Sequence, residues 1–288
     1  MSDPRPFVFG LDLSYKSRGA LAFAAWLRSR LGPDDVEAVH MIPARDDPPA
    51  ERDERQRRAL EALQAQLGEQ AQAFARVQVR EAPGIVHGVV EGLAHVGTFA
   101  RALVLGRRAR SGERALVHLG PVARKLLRAL PLPTIVVPPD IEPAALAGGP
   151  VVLATDLEAH SESAARFAAE FARACGCPLI VVHVAEVHFN EFVDESDPDW
   201  QARREEFRRE AAARLDRWVD AHDLDARRVA LCGSPIELLL EHVERERAAL
   251  LVLGSRRLST SERLFTTSNA STMAAYAPCP VAVVPPPL

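Results

Sequence analysis

The sequence predicts an α/β fold made of two tandem, doubly wound domains, each with a five-stranded parallel sheet. Short apolar runs of four to six residues alternate with longer amphipathic segments, which is the pattern of β-α-β units around a buried parallel sheet. The same segments recur in the second half of the 288-residue chain, at an offset between 143 and 148 residues. We therefore expect two Rossmann-like domains related by an internal pseudo-two-fold axis.

Four pairs of matching segments define this repeat: FVFGLDLS (7–14) with VVLATDLEAHS (151–161), VEAVHMIPA (36–44) with LIVVHVAEV (179–187), RALVLGRRA (101–109) with ALLVLGSRR (249–257), and LPLPTIVVPPD (130–140) with APCPVAVVPPP (277–287). The pairs predict a first domain at residues 1–140 and a second at 151–288. IEPAALAGGP (141–150) is the predicted linker.

Helices are predicted between the apolar runs. ALAFAAWLRSRLG and SAARFAAEFARACG carry small and apolar residues at helical spacing and end in glycine, so each is the predicted first helix of its copy. In CGSPIELLLEHV, Ser234 is a predicted cap, Pro235 the first helical residue and Glu237 the partner in a capping box. The charged stretches near 50–73 and 197–222 predict solvated surface helices.

Composition argues against several classes of function. No stretch reaches the roughly 20 apolar residues of a membrane span, and the first residues lack the order of a signal peptide, so we expect a soluble, cytoplasmic protein without membrane partners. Lys and Arg number 20 against 17 Asp and Glu in residues 1–148, and 15 against 22 in residues 149–288. Neither half has the basic excess of a nucleic-acid binder.

The cysteines and histidines predict no metal site. The histidines show no ligand spacing, and no second cysteine pair stands at zinc spacing. The four cysteines are Cys175, Cys177, Cys232 and Cys279, and no disulfide framework is indicated. We expect Cys175 and Cys177, which form a C-x-C, to be small buried residues before a strand.

Polar and glycine residues follow the predicted strands where a ligand would bind. In doubly wound sheets the ligand crevice lies at the carboxyl ends of the strands. Four residues fall at such ends: Asp12, Asp156, Gly106 and Gly254.

These features together resemble the universal stress protein family. The resemblance rests on the Asp ending the first strand, the His ending the second (His40, His183), the G-S-P turn, VLG at the fourth strand and the final APCPVAVV. It implies the α/β fold argued above, and dimers in which the last strands pair. It also implies that some members bind ATP, through G-x-x-G followed by nine residues and then G-S or G-T. In that motif glycines let backbone amides approach phosphates, and a helix N-terminus favours negative charge.

The glycine motif is degraded in both copies. In the second copy Gly254 holds the first position, but Arg257 and Thr267 replace the other two glycines, and Ser268 keeps the final hydroxyl.

In the first copy Gly106 matches, but Ala109 replaces the second glycine. Gly120 comes one residue late and is followed by Pro121, which removes an amide donor. Arginines could instead hold a phosphate by charge, and these are Arg107, Arg108, Arg110, Arg114, Arg256, Arg257 and Arg263.

The resemblance and the missing glycines favour a non-catalytic stress-response protein whose two domains imitate a dimer within one chain. The alternative is a sensor that binds ATP or AMP in the second domain. Its candidate residues are Asp156, Val184, Gly254, Ser255 and Ser268, with Asp12, Gly106 and Gly120 in the first domain. A slow nucleotide hydrolase is disfavoured because no general base stands beside the loop, so no catalytic residue is assigned. A binder of an apolar molecule in the crevice is the remaining alternative.

The final strands predict the mode of pairing. TIVVPPD and VAVVPPP are short apolar segments stopped by prolines, typical of edge strands. Because the resemblance implies that the last strands pair, we expect residues 134–137 and 281–284 to meet across the internal axis. Formation of a homodimer would then use another surface.

Overall fold

The computed structural model describes residues 5–12, 18–83, 87–97, 99–107, 119–186, 198–255 and 269–286. Five strands and four helices alternate in the first domain: β1 (Phe7–Gly10), α1 (Arg18–Arg30), β2 (Val36–Pro43), α2 (Pro49–Leu67), β3 (Arg76–Ala82), α3 (His87–Gly97), β4 (Ala102–Gly106), α4 (Pro121–Ala129) and β5 (Thr134–Val137).

The second domain repeats this order after a short helix, α5 (Pro143–Leu146), in the connection. Its elements are β6 (Val151–Ala154), α6 (Glu162–Cys175), β7 (Leu179–Glu186), α7 (Pro198–Ala221), β8 (Arg227–Gly233), α8 (Pro235–Arg245), β9 (Leu250–Gly254), α9 (Asn269–Tyr276) and β10 (Val281–Val284).

Burial explains why these segments adopt these elements. All four residues of β6 are buried, as expected for a strand covered on both faces. In α6 the buried residues recur at helical spacing, and the helix ends before Gly176, whose φ of 64° is left-handed. Helix α8 begins after Ser234 as predicted, but the predicted side-chain cap is wrong because the Ser234 side chain makes no capping hydrogen bond.

All ten strands join in one sheet, in the order β3-β2-β1-β4-β5-β10-β9-β6-β7-β8. Neighbouring strands run parallel within each domain, whereas β5 and β10 run antiparallel at the centre. There Ile135 lies opposite Ala282, and Val136 opposite Val281. This pairing confirms the prediction for 134–137 and 281–284, and places Ile135 and Ala282 at the pseudo-two-fold axis.

Each face of the sheet carries one hydrophobic core that crosses the domain boundary. Helices α1, α2, α6 and α7 cover one face, where Phe9, Phe23 and Phe171 are fully buried. Helices α3, α4, α8 and α9 cover the other, where Leu126 and Met273 are fully buried. The two domains therefore form a single packed body.

Among the described residues, no helix is both long enough and apolar enough to cross a membrane.

Candidate functional site

The carboxyl ends of β6 and β9 meet at the point where strand order reverses in the second domain. The two strands are paired in parallel, with Ala154 opposite Leu253. Asp156 therefore follows one strand at the level where Gly254 ends its neighbour, and the half-buried Val184 lies on β7 on the other side of β6. The predicted site residues Asp156, Val184, Gly254 and Ser255 thus share one edge of the sheet.

Local hydrogen bonds already engage the Asp156 carboxylate. Its Oδ1 accepts the Glu158 backbone N–H at 3.2 Å and the Ser161 hydroxyl at 2.9 Å. Its Oδ2 lies 3.0 Å from Nε2 of His160. The Asp156 side chain fixes the turn that leads into α6, as an aspartate often does after a strand.

This turn has a compact backbone. Leu157 has a φ of 67°, and its N–H donates to the Thr155 hydroxyl at 2.9 Å. Residues Ala159–Ser161 then form one turn of 3-10 helix. We call residues 156–161 the Asp156 turn.

Gly254 allows close packing of the Asp156 turn against β9. A Cβ at this position would lie 3.3 Å from Cα of Ser161 and 3.4 Å from the carbonyl oxygen of His160. The 3.3 Å contact is slightly tighter than an ordinary van der Waals contact, so the turn would have to shift by a few tenths of an ångström. Gly254 therefore has a packing role that the sequence motif did not suggest.

The histidines predicted to end the second strand of each copy lie within it, because β2 and β7 each continue for three residues beyond the histidine, and both contact the chain after the first strand. Nδ1 of His183 lies 2.9 Å from the carbonyl oxygen of Thr155, and Nδ1 of His40 lies 2.8 Å from that of Leu11. Burial lowers the pKa of His183, because desolvation disfavours the imidazolium, although the hydrogen bond to Thr155 acts in the opposite direction. In each copy the histidine therefore links the second strand to the residue that follows the first strand.

The corresponding edge of the first domain is organised differently. Asp12 is exposed, and Gly106 is half-buried at the end of β4. Gly120 precedes α4 with an extended backbone, and Pro121 occupies the first helical position, without a side-chain cap. Helix α4 therefore begins with a residue that has no N–H to offer an anion.

Arg107, which follows Gly106, is buried and reaches into the second domain. Its Nη1 donates to the carbonyl oxygens of Ala277 at 3.0 Å and Ala274 at 3.4 Å, in the last turn of α9 and just after it. Burial lowers the Arg107 pKa, while nearby Asp140 acts in the opposite direction.

A cation at a helix C-terminus is favourable because the last carbonyls carry partial negative charge. The guanidinium of Arg107 serves this helix end through its contacts to Ala274 and Ala277. The sequence signal for this role is a difference between the two copies, since Ser255 stands at the position equivalent to Arg107.

Several predicted residues lie outside the described residues: Ser268, Arg108, Arg110, Arg114, Arg256, Arg257 and Arg263. In the part of the chain that is described, no three His, Cys, Asp or Glu side chains form a group suited to a metal ion. The four cysteines are free, and burial raises the pKa of Cys175 and Cys279 to about 12, so these thiols are protonated at neutral pH.

Comparisons with known proteins agree with this geometry. The sequence model of the Universal stress protein family matches residues 4–138 and 149–285. The universal stress protein Rv1996 of Mycobacterium tuberculosis is 30% identical over 208 residues, covering 70% of this chain and 65% of that relative. A universal stress protein of Thermus aquaticus is 35% identical over 138 residues, covering 46% of this chain and 96% of the relative. The chain thus spans 65% of the length of the mycobacterial relative.

Solved structures share the fold over the full length. A universal stress protein from Archaeoglobus fulgidus superposes with a TM-score of 0.70 at 17% identity, covering 98% of this chain and 99% of that one. A protein described as a putative universal stress protein from Pseudomonas aeruginosa gives a TM-score of 0.63 at 14% identity, covering 97% and 91%. The chain therefore belongs to the universal stress protein family, as a tandem member that carries two of its domains in one chain.

Proposed function

We propose that this protein is a non-catalytic, cytoplasmic stress-response protein whose two domains pair internally and whose crevices no longer bind nucleotide in the family's usual way. The observation that carries the proposal is the internal engagement of Asp156. Its carboxylate already has partners within the chain, among them the Glu158 N–H, the Ser161 hydroxyl and His160. A ligand would have to replace some of these contacts, and each has a hydrogen bond's net free energy of about 1 kcal/mol.

The strand end beside Asp156 supports the same proposal. Gly254 is the one motif glycine kept in the second copy, and the Asp156 turn packs directly against it. That packing alone is sufficient reason for a glycine, without a phosphate. Arg257 and Thr267 stand where the other two glycines would be, so each adds a Cβ where backbone amides would approach the phosphates.

The described side chains at this edge support a non-catalytic role. Hydrolysis by a serine nucleophile needs the hydroxyl to donate to a general base. The Ser161 hydroxyl donates to the Asp156 carboxylate, whose oxygens also contact the Glu158 N–H and His160, so this pair is part of the turn. Nδ1 of His183 bonds the Thr155 carbonyl and not a hydroxyl. These contacts support a role in stabilising the turn.

A second candidate function is an ATP or AMP sensor in the second domain. It is favoured by exposure, because the Asp156 side chain is 35% exposed and that of His160 is 22% exposed at the carboxyl edge. A nucleotide could then exchange with the internal partners of Asp156, beside Val184, Gly254 and Ser255.

Two measurements distinguish the candidates. Mass spectrometry of small molecules released from the purified chain, followed by calorimetric titration with ATP, ADP and AMP, should show no copurified nucleotide and no binding heat. Micromolar binding that is lost in Asp156→Ala would contradict the proposal and establish the sensor.

Ser161→Ala provides the matched variant. It removes one internal partner and leaves the Asp156 carboxylate in place. If the sensor hypothesis holds, this variant should bind nucleotide at least as tightly as the unaltered chain. If the crevice is only structural, it should remain silent in the titration.

A further inference from the structure

The two domains meet through contacts that differ on the two sides of the pseudo-two-fold axis. In a symmetric dimer each contact occurs twice. Here Ile135 and Ala282 lie at the axis, and the repeat pairs Arg107 with Ser255, Leu127 with Ala274, and Leu130 with Ala277. The side chains related by the axis therefore differ in size and charge.

On one side of the axis a large cation meets small residues. Arg107 is 5% exposed and donates to the carbonyls of Ala274 and Ala277. Both alanines are themselves buried. Their small side chains leave space in which the guanidinium reaches the end of α9.

On the other side the sizes are reversed. The axis relates Arg107 to Ser255, which is half-buried, and relates the two alanines to the buried residues Leu127 and Leu130. A small polar residue here corresponds to large apolar ones. A large residue thus faces small ones on the first side, and a small residue faces large ones on the second.

A second buried arginine of the first domain also contacts the second domain on only one side of the axis. Arg101, only 7% exposed, lies 3.8 Å from Glu170 of the second domain, and its Cζ lies 5.4 Å from the centroid of the Phe7 ring. The repeat relates Arg101 to Ala249 and Glu170 to Trp26, so no such ion pair can form on the reciprocal side. These two buried arginines thus both belong to the first domain.

Aromatic packing adds to the difference. Phe171 of the second domain contacts Phe7 edge-on, with 5.8 Å between centroids, and stacks on Trp26 at 6.2 Å. The repeat relates Phe171 to Leu27 and Phe7 to Val151, so the reciprocal contacts lack aromatic rings. Such pairs add about 0.5–1.5 kcal/mol beyond the burial of area.

We propose that this interface favours pairing of a first domain with a second domain, and disfavours pairing of like domains from two chains. A pair of first domains would bury four guanidiniums, with each Arg101 lacking Glu170 and each Arg107 facing Leu127 and Leu130. Two second domains would leave the Ala274 and Ala277 carbonyls without the arginine donor. Buried charges and polar groups without partners are costly, so both like pairs are disfavoured.

The test removes the covalent tether after folding. A protease site is inserted in the exposed linker segment 142–145 of the full chain, and the folded protein is cut. Cut protein made with heavy isotopes is mixed with light cut protein, and native mass spectrometry counts the pairs. Mixed pairs containing one heavy and one light half show that exchange has occurred.

The expected result is an excess of first-with-second pairs over like pairs of at least about tenfold. An interface without preference would give as many like pairs as first-with-second pairs, and that result would overturn the proposal. Arg107→Ser combined with Ala277→Leu makes one side resemble the other, so like pairs should increase in this variant. Arg124→Ser, which alters an exposed arginine on α4, should leave the ratio unchanged.

A second measurement uses the uncut chain, so that the proposal stays testable if the halves separate poorly. Arg107→Ser and Ala277→Leu should each lower Tm by about 2–6 °C. The double variant should lose clearly less than the sum, because serine opposite leucine reproduces the other side of the axis. Strictly additive losses would mean that the two positions do not recognise each other.

Discussion

At the end of β4 a buried arginine follows the glycine, whereas at the equivalent end of β9 a half-buried serine follows it. Arg107 leaves its own crevice and binds the end of α9 in the other domain. In the second domain the Asp156 turn packs against Gly254 within the same domain. Residues of one ancestral motif thus serve an interdomain contact in one copy and local packing in the other.

The largest effect is expected from Arg107→Ala, which tests the difference between the end of β4 and the end of β9. The change leaves the buried carbonyls of Ala274 and Ala277 without this donor and opens a cavity, so we expect the free energy of unfolding to fall by about 2–4 kcal/mol. Ser255→Ala, at the equivalent position, should cost less than about 1 kcal/mol. Urea unfolding followed by circular dichroism measures both. Equal losses would remove the distinction between the two edges.

Gly254→Ala tests the packing role assigned to the second edge. The new Cβ would press on Ser161 and the His160 carbonyl at 3.3 and 3.4 Å, so the Asp156 turn must shift. We expect a loss of about 1–2 kcal/mol in the free energy of unfolding. If the variant is as stable as the unaltered chain, the glycine has no packing role and a ligand role becomes the better explanation.

A smaller effect is expected from Ser161→Ala. It removes the 2.9 Å hydrogen bond to Asp156. The free energy of unfolding should therefore fall by the net contribution of a single hydrogen bond, about 0.5–1.5 kcal/mol. Ser163→Ala, two residues further along α6, is the control and should change stability less. Thermal unfolding of the two variants side by side would show whether the Asp156 turn depends on this hydroxyl.

The pH dependence of stability gives the smallest expected effect. Burial lowers the pKa of His183, so the unfolded chain binds its proton more readily than the folded one. Stability from this group is therefore present above the unfolded pKa of about 6.5 and is lost as pH falls through the folded pKa. One proton limits the slope to about 1.4 kcal/mol per pH unit.

His183→Gln should flatten the loss of stability on the acid side of about pH 6.5. Part of the slope should remain, because burial also lowers the pKa of His242 on α8. Denaturation midpoints at pH 7.5 and 5.5 provide the measurement. An unchanged slope would assign the acid sensitivity to other groups.

The elements could be predicted from the sequence because they depend on local patterns, such as the apolar runs and prolines of β5 and β10. The pairing of these two strands is not a local feature, and its prediction came from the resemblance to the family. The Ser234 cap shows the limit of local rules: the helix begins where predicted, but the side chain makes no capping hydrogen bond.

The candidate site was harder to predict because its decisive contacts are not local. Arg107 binds a carbonyl 170 residues further along the chain, and only the arrangement about the axis brings them together. Asp156 was correctly placed at a strand end, yet nothing in a motif shows whether a carboxylate is already engaged by its neighbours. The available signal was the mismatch between copies, Arg107 against Ser255 and Ala277 against Leu130.

The antiparallel junction of β5 and β10 also affects how the sequence can evolve. In a dimer of identical chains, any substitution beside the axis appears twice, so a new arginine would have to be tolerated on both sides at once. In the fused chain it appears once, and the facing residue in the other copy can adapt alone. Covalent fusion thus doubles the number of independent positions along the central strands and the helices that cover them.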